Sequence, residues 1–329
     1  MINMAYLEVA KVHTKLGELL ESNAKASAKA AEEFAAKHGV NVDDITSLRL
    51  DTSLLLGMNR YIDTVTALET NKSIPNDVLF DRVDAGGVES EWIYVSNAAE
   101  NKVFFHLFGG GYIMGNLDNR RWSPYLYSRE TNMRCLNVGY RLAPEHPYPA
   151  ALEDSITAYK WLLDQDFAPK NVIICGESAG GGLAMATMLR LRDLELPMPA
   201  AAVMQSPWVD LMGRGKSLKE FYKFEPELVI GSKLMALLYA KGNSWKNPYI
   251  SPVYADIGGL PPLLIQAGGI EAIRDEVILL AERAETSGVE VTLEVYERMT
   301  HVFQRFADNL EESMDAWKNI RIFVEKHMS

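Results

Sequence analysis

Residues 1–70 mix apolar positions with Ala, Lys and Glu and contain no proline. That texture predicts helices with a few polar breaks, one of them at His38-Gly39. Past Pro75 the pattern changes to short β-rich runs at 78–85, 88–95 and 102–108. Strand-like and helix-like segments then alternate: strand 133–140, helix 151–163, strand 171–175, helix 179–193, strand 200–205. After an interruption the rhythm resumes with strand 262–267, helix 275–286, strand 289–296 and a closing helix at 314–326. Antiparallel-looking strands first and βα units afterwards predict an α/β chain with a mostly parallel central sheet flanked by helices on both faces. Between 208 and 247 a loop carrying Gly213 and Gly215 and a helical piece at 232–241 read as an insertion, packed with the N-terminal helices as a lid. The expected organisation is therefore 1–70 helical, 75–207 core, 208–247 insertion and 248–329 core.

Composition narrows the function classes. With 329 residues, 48% hydrophobic and 23% charged, the chain can bury a large core and is not a disordered one. Its 44 acidic against 33 basic side chains give a net charge of −11 with no basic stripe. Such a surface repels phosphate backbones and anionic lipids, so a nucleic-acid partner is set aside. Cys135 and Cys175 both lie in apolar runs and read as buried free thiols, and no cluster of metal ligands accompanies them. No metal and no organic cofactor is expected. The N-terminus interleaves Glu8, Lys11, Lys15, Glu18 and Glu21 with its apolar residues, unlike a signal peptide, and no window is apolar for long enough to span a membrane. A cytoplasmic location is the default expectation, and a homodimer is left open.

The strongest local signal is Cys175-Gly176-Glu177-Ser178-Ala179-Gly180-Gly181, in which an apolar strand runs into Gly-x-Ser-x-Gly and then a helix. This is the context of a nucleophile elbow, where glycines relieve a tight turn and the helix start offers free N–H groups. A nucleophilic serine needs a base. Of the six histidines, His13, His38 and His327 read as solvated, His146 as part of a Pro-bounded loop and His106 as a satisfied core residue. His301 follows the last strand, where the order Ser…acid…His places the base. The acid follows the preceding strand, with Glu271 nearest its end and Asp275 one helical turn later. Oxyanion donors are expected from the N–H of Ala179 and from the Gly109-Gly110-Gly111 run after strand 102–108. Gly215-Lys216-Ser217 lacks the first glycine of a nucleotide-binding loop, and Gly109-x-Gly111-x-x-x-Gly115 lacks the spacing of a dinucleotide fingerprint.

These residues carry a family resemblance. Leu107-Phe108-Gly109-Gly110-Gly111-Tyr112, Tyr140-Arg141-Leu142-Ala143-Pro144-Glu145-His146-Pro147, the serine elbow and Ser206-Pro207-Trp208-Val209-Asp210 together resemble the hormone-sensitive-lipase-like esterases of the α/β-hydrolase superfamily, over roughly residues 75 to 329. The resemblance implies an α/β-hydrolase fold with a helical cap made from 1–70 and 208–247. It implies Ser178 as nucleophile, Glu271 as triad acid, His301 as base, and Gly110, Gly111 and Ala179 as oxyanion donors. The implied activity is hydrolysis of short- to medium-chain acyl esters through an acyl-enzyme. An amidase or lactonase with the same triad, or a non-catalytic small-molecule receptor on this scaffold, are the alternatives. Two positions depart from the family pattern. Glu271 stands where Asp is commoner, and Phe108 replaces the histidine that braces the glycine loop. Phe108 is expected to brace the loop by packing, or not at all. His106, two residues earlier, is expected on the same side of the strand and is not expected to take over the brace.

Overall fold

The computed structural model describes residues 5–39 and 52–328. The N-terminal part forms α1 (Ala5–Ala10), α2 (Thr14–His38) and α3 (Thr52–Asn71). Gly39 ends α2 in the left-handed conformation that favours glycine, with its N–H on the Ala35 carbonyl, so the break read at His38-Gly39 is a helix C-cap.

Eight strands follow: β1 (Leu79–Asp84), β2 (Glu89–Tyr94), β3 (Ala99–Leu107), β4 (Met133–Val138), β5 (Val172–Glu177), β6 (Ala201–Gln205), β7 (Leu263–Gly268) and β8 (Val291–Tyr296). They form one sheet in the order β1-β2-β4-β3-β5-β6-β7-β8. The pairs β1–β2 and β2–β4 are antiparallel, and every pair from β4–β3 onward is parallel. The expected mostly parallel sheet is thus present, with the antiparallel strands at its N-terminal edge.

Period-2 alternation sorts β3 between two cores. Val103, Phe105 and Leu107 join one cluster, packed with Leu162 of α5 (Ala150–Asp164) and Leu183 of α6 (Ala179–Asp193). Phe104 joins the other, packed with Tyr127 of α4 (Trp122–Thr131) and with Trp317 and Ile320 of the closing helix. Strands β5, β6 and β7 are buried at every position, as expected of a parallel sheet covered on both faces. Cys135 and Cys175 are free and fully buried in the second cluster.

Helix α4 was not predicted. Its residues Pro124 to Ser128 are buried consecutively, so no 3.6-residue stripe marks it. The parallel β3–β4 pairing nevertheless demands a crossover there. In the 208–247 stretch the structure has α7 (Ser217–Glu220) and α8 (Pro226–Ala240), the latter beginning six residues before the predicted helix because Pro226 occupies its first turn. Phe221 and Phe224 from this stretch pack with Val9 and Leu16 of the N-terminal helices and with Met299 and Phe303 beyond β8. The sheet is completed by α9 (Arg274–Thr286) and α10 (Glu311–His327). Among the described residues no helix is long and apolar enough to cross a membrane.

Candidate active site

Ser178 sits between β5 and α6 with φ 55° and ψ −124°, a strained backbone held by Ser178 N–H on the Gln205 carbonyl at 2.9 Å and Trp208 N–H on the Ser178 carbonyl at 2.8 Å. The turn leaves no room around it. A Cβ on Gly180 would lie 1.9 Å from the Leu107 carbonyl oxygen, which is why the elbow demands glycine there. Its Oγ lies 2.9 Å from His301 Nε2. On the other side of the imidazole, Nδ1 faces Glu271 Oε2 at 3.6 Å, an ion-pair distance slightly beyond hydrogen-bond reach. Both His301 Nδ1 and Glu271 Oε1 lack a partner among the described residues, and Glu271 is fully buried. A closure of less than about 1 Å would turn this contact into a hydrogen bond, the usual tightening of a resting site when substrate binds.

Ser206 ties the acid and base loops together. Its Oγ donates to Glu271 Oε2 at 2.6 Å and accepts from Val302 N–H at 3.0 Å. The sequence places Ser206 only in a resemblance motif; its bridging role was not read there. Asp275, the alternative acid, is not in contact with His301. It accepts from Ser217 N–H at 3.0 Å and pairs with Arg274 at 2.9 Å, so its part is to dock the α7 segment.

The N–H groups of Gly110, Gly111 and Ala179, the expected oxyanion donors, meet no acceptor among the described residues, while the Gly109 N–H and the Phe108, Gly109 and Gly110 carbonyls are engaged. Tyr140 Oη donates to the Phe108 carbonyl at 2.6 Å, Gly109 N–H donates to Glu177 Oε1 at 2.8 Å, and Arg120 Nε donates to the Gly109 carbonyl at 3.3 Å. The Gly110 carbonyl accepts from Ile113 and Met114. Gly110 itself has φ 132°, and a Cβ there would strike the Met114 carbonyl oxygen at 2.3 Å.

The brace of this loop corrects the reading of Phe108 and His106. Strand β3 ends at Leu107, so the alternation stops before Phe108, which turns to the first core and stacks on Tyr140 at 4.3 Å. His106 points to the opposite face, against Tyr127, and is fully buried. Its Nε2 lies 2.9 Å from Glu177 Oε2, and the other oxygen of that carboxylate holds Gly109 N–H. His106 therefore does brace the loop, through Glu177.

Its charge follows from the hydrogen bonds. Asn137 Nδ2 donates to the Arg120 carbonyl, which turns Asn137 Oδ1 toward His106 Nδ1 at 2.9 Å. Both ring nitrogens face acceptors, so both carry protons. Burial alone would disfavour that charge, but Glu177 outweighs it and holds His106 above its usual range. Burial likewise disfavours the Glu177 carboxylate, and His106 with the Gly109 N–H overcomes it, holding Glu177 below its usual range.

Replacing His106 by Gln should cost about 3–5 kcal/mol, because it strands a buried carboxylate. The His106 contribution is complete below its unfolded value of about 6.5 and is lost as pH rises through the folded value. The Glu177 contribution is complete above about 4.3 and is lost as pH falls through its lowered value. Denaturant titrations of the two proteins should thus differ most between about pH 4.3 and 6.5, with the gap narrowing at alkaline pH. A gap independent of pH would mean that the pair is not ionised.

Comparison with known proteins places this geometry. A family model described as the α/β-hydrolase fold matches residues 103–305. An acetyl-hydrolase of Streptomyces hygroscopicus is 36% identical over 239 residues, covering 72% of this chain and 79% of the relative. An esterase of Acinetobacter venetianus is 34% identical over 72% of this chain and 79% of its own length. The crystal structure of an esterase from the bacterial hormone-sensitive lipase family superposes with a TM-score of 0.80 at 34% identity, over 93% of this chain and 99% of that one. The chain belongs to the hormone-sensitive-lipase family of α/β hydrolases. In this chain the glycine loop beside Phe108 is held by the His106–Glu177 pair.

In this family member the serine opens onto a cleft of about 620 Å³. Helices α2 and α3 contribute Asn23, Asn59 and Thr66 to its lining, and the 208–247 stretch contributes Phe224, Leu228 and Met235. Among Phe221, Tyr222, Phe224 and Trp245 of that stretch, Phe224 alone lines the cleft. Phe221 is buried against the N-terminal helices, Tyr222 is 41% exposed and Trp245 packs on the main core.

Proposed function

We propose that this chain is a serine carboxylesterase acting on short- to medium-chain acyl esters through Ser178, Glu271 and His301. The observation that carries the reading is the 2.9 Å contact of His301 Nε2 with Ser178 Oγ, beside three backbone N–H groups with no acceptor of their own. His301 takes the proton of Ser178 as Oγ attacks the ester carbonyl, and the oxyanion is held by Gly110, Gly111 and Ala179. His301 then passes that proton to the leaving alkoxide, which departs as the alcohol. A water, deprotonated by His301, attacks the acyl-enzyme, and return of the proton to Oγ frees the acid. Glu271 stabilises the imidazolium formed in each half. The names of the relatives, acetyl-hydrolase and esterase, support the same reaction. We further infer that 1–70 and 208–247 together act as a cap over the cleft, a reading supported by their shared apolar cluster and their residues in its lining.

Acyl length is set by Met235 in this reading. It lines the cleft from α8, and its Sδ lies so close to Gly111 that a Cβ there would be 1.9 Å away. A long acyl chain would have to displace it. Across p-nitrophenyl esters from acetate to long acyl chains, wild type should show a burst of p-nitrophenol matching the enzyme concentration and then favour the short substrates. Met235→Ala should move the optimum by roughly two or more carbons, each buried CH₂ being worth about 0.8 kcal/mol. Absence of turnover across the series from folded protein would overturn the esterase reading; an unmoved optimum would release Met235 from its role.

A further inference from the structure

Glu225 lies where the 208–247 stretch turns into α8, buried and far in sequence from any of the three triad positions. Its two carboxylate oxygens are divided between two loops. Oε2 accepts from the backbone N–H of Ala272 at 2.7 Å, directly after the triad acid, and Oε1 accepts from the backbone N–H of His301 itself. Ser206 makes the matching bridge from the core side, between the Glu271 carboxylate and Val302 N–H. Residues 271–272 and 301–302 are thus clamped twice, once by the sheet and once by a residue of the insertion.

We infer that Glu225 is a positioning residue, which sets the approach of Glu271 to His301 and makes a closed 208–247 stretch a condition of catalysis. The inference rests on the triad reading above. The clamp needs both oxygens as acceptors, and charged acceptors bind N–H groups roughly twice as strongly as neutral ones. The groups that face this carboxylate are His301, which favours its charge, and Glu271, which opposes it; Arg305 acts on it favourably from the segment after His301. Burial is the largest influence and, with Glu271, pushes the Glu225 carboxyl up to about 7. Protonation as pH falls through that value turns one acceptor into a neutral hydroxyl and slackens the clamp. Protonation of Glu225 therefore adds a loss of activity on the acid side.

The experiment measures kcat and KM for p-nitrophenyl acetate between about pH 5 and pH 9 in wild type, Glu225→Gln, Glu225→Asp and Ser178→Ala. Gln presents an amide N–H₂ to one of the two N–H donors, so kcat should fall on the order of 10- to 100-fold, the loss expected for a misplaced base, with KM within about threefold of wild type. Its acid limb should lack the component that protonation of Glu225 gives wild type and so be shallower. Asp keeps the charge but is one methylene short of reaching both loops; it should lose kcat and keep the steeper acid limb of wild type. A folded Glu225→Gln with wild-type kcat and an unaltered limb overturns the clamp. Where Gln does not fold, wild-type kcat in Glu225→Asp overturns it. An active Ser178→Ala would take down the triad reading and the clamp with it, whereas an inactive Ser178→Ala beside an unaltered Glu225→Gln removes the clamp alone.

Discussion

Ser178→Ala should lower kcat for ester substrates by on the order of 10⁶ while leaving a folded protein. In the proposed mechanism Oγ is the atom that bonds to the acyl carbon, and no neighbouring group can take its place. Gly110, Gly111 and Ala179 would still polarise a bound ester, so a residual rate above water is expected from the oxyanion donors alone. The fold should survive because the elbow is held by its backbone. The Gln205 carbonyl accepts Ser178 N–H, and the Ser178 carbonyl accepts from Gly182 and Trp208, none of which involves the hydroxyl. Loss of one small polar atom should shift the thermal midpoint by no more than a few degrees. Circular dichroism melts and p-nitrophenyl acetate turnover on the same preparation decide the matter. Wild-type turnover in the folded variant would remove Ser178 from the chemistry.

The serine elbow and the two candidate partners were legible because each sits at a strand end, and strand ends show in the sequence as apolar runs stopped by glycine or polar residues. Ser178 follows β5, Glu271 lies just past β7 and His301 lies past β8. What the sequence hid depends on pairing between distant segments. His106 looked like an ordinary core histidine because its partner is 71 positions away. Once β3 is registered on β5, His106 stands opposite Cys175, and Glu177 lies two residues further along the same face. A basic and an acidic side chain on one buried face of adjacent strands would then have announced the pair. Phe108 was misjudged for a local reason, since its side was extrapolated past the end of the strand. Helix α4 was missed because burial of consecutive residues erases helical periodicity. Glu225 could not be found at all from the chain, because nothing in Phe224-Glu225-Pro226 indicates that the loops at 272 and 301 arrive beside it.

Glu271→Gln should cost on the order of 10³–10⁴ in kcat, and Asp275→Asn less than about threefold. The first figure follows from the geometry. In the proposed mechanism each half-reaction creates a positive imidazole next to Glu271, whose Oε2 lies 3.6 Å from His301 Nδ1 in a fully buried position. At an effective dielectric constant near 20, opposite charges at such a separation attract by about 4–5 kcal/mol, which is worth about three decades of rate. Gln removes the charge, and its amide can present N–H to Nδ1 and favour the wrong tautomer, which adds to the loss. Asp275 has no such leverage. Its carboxylate is spent on Ser217 N–H and Arg274, so its amide variant should lose stability at the α7 contact and little turnover. Steady-state kinetics of the two variants, with denaturant titrations beside them, test the pair together. The opposite order, a silent Glu271→Gln and a crippled Asp275→Asn, would transfer the acid to Asp275. That would require the loop after β7 to rearrange by a full helical turn before His301 could be served.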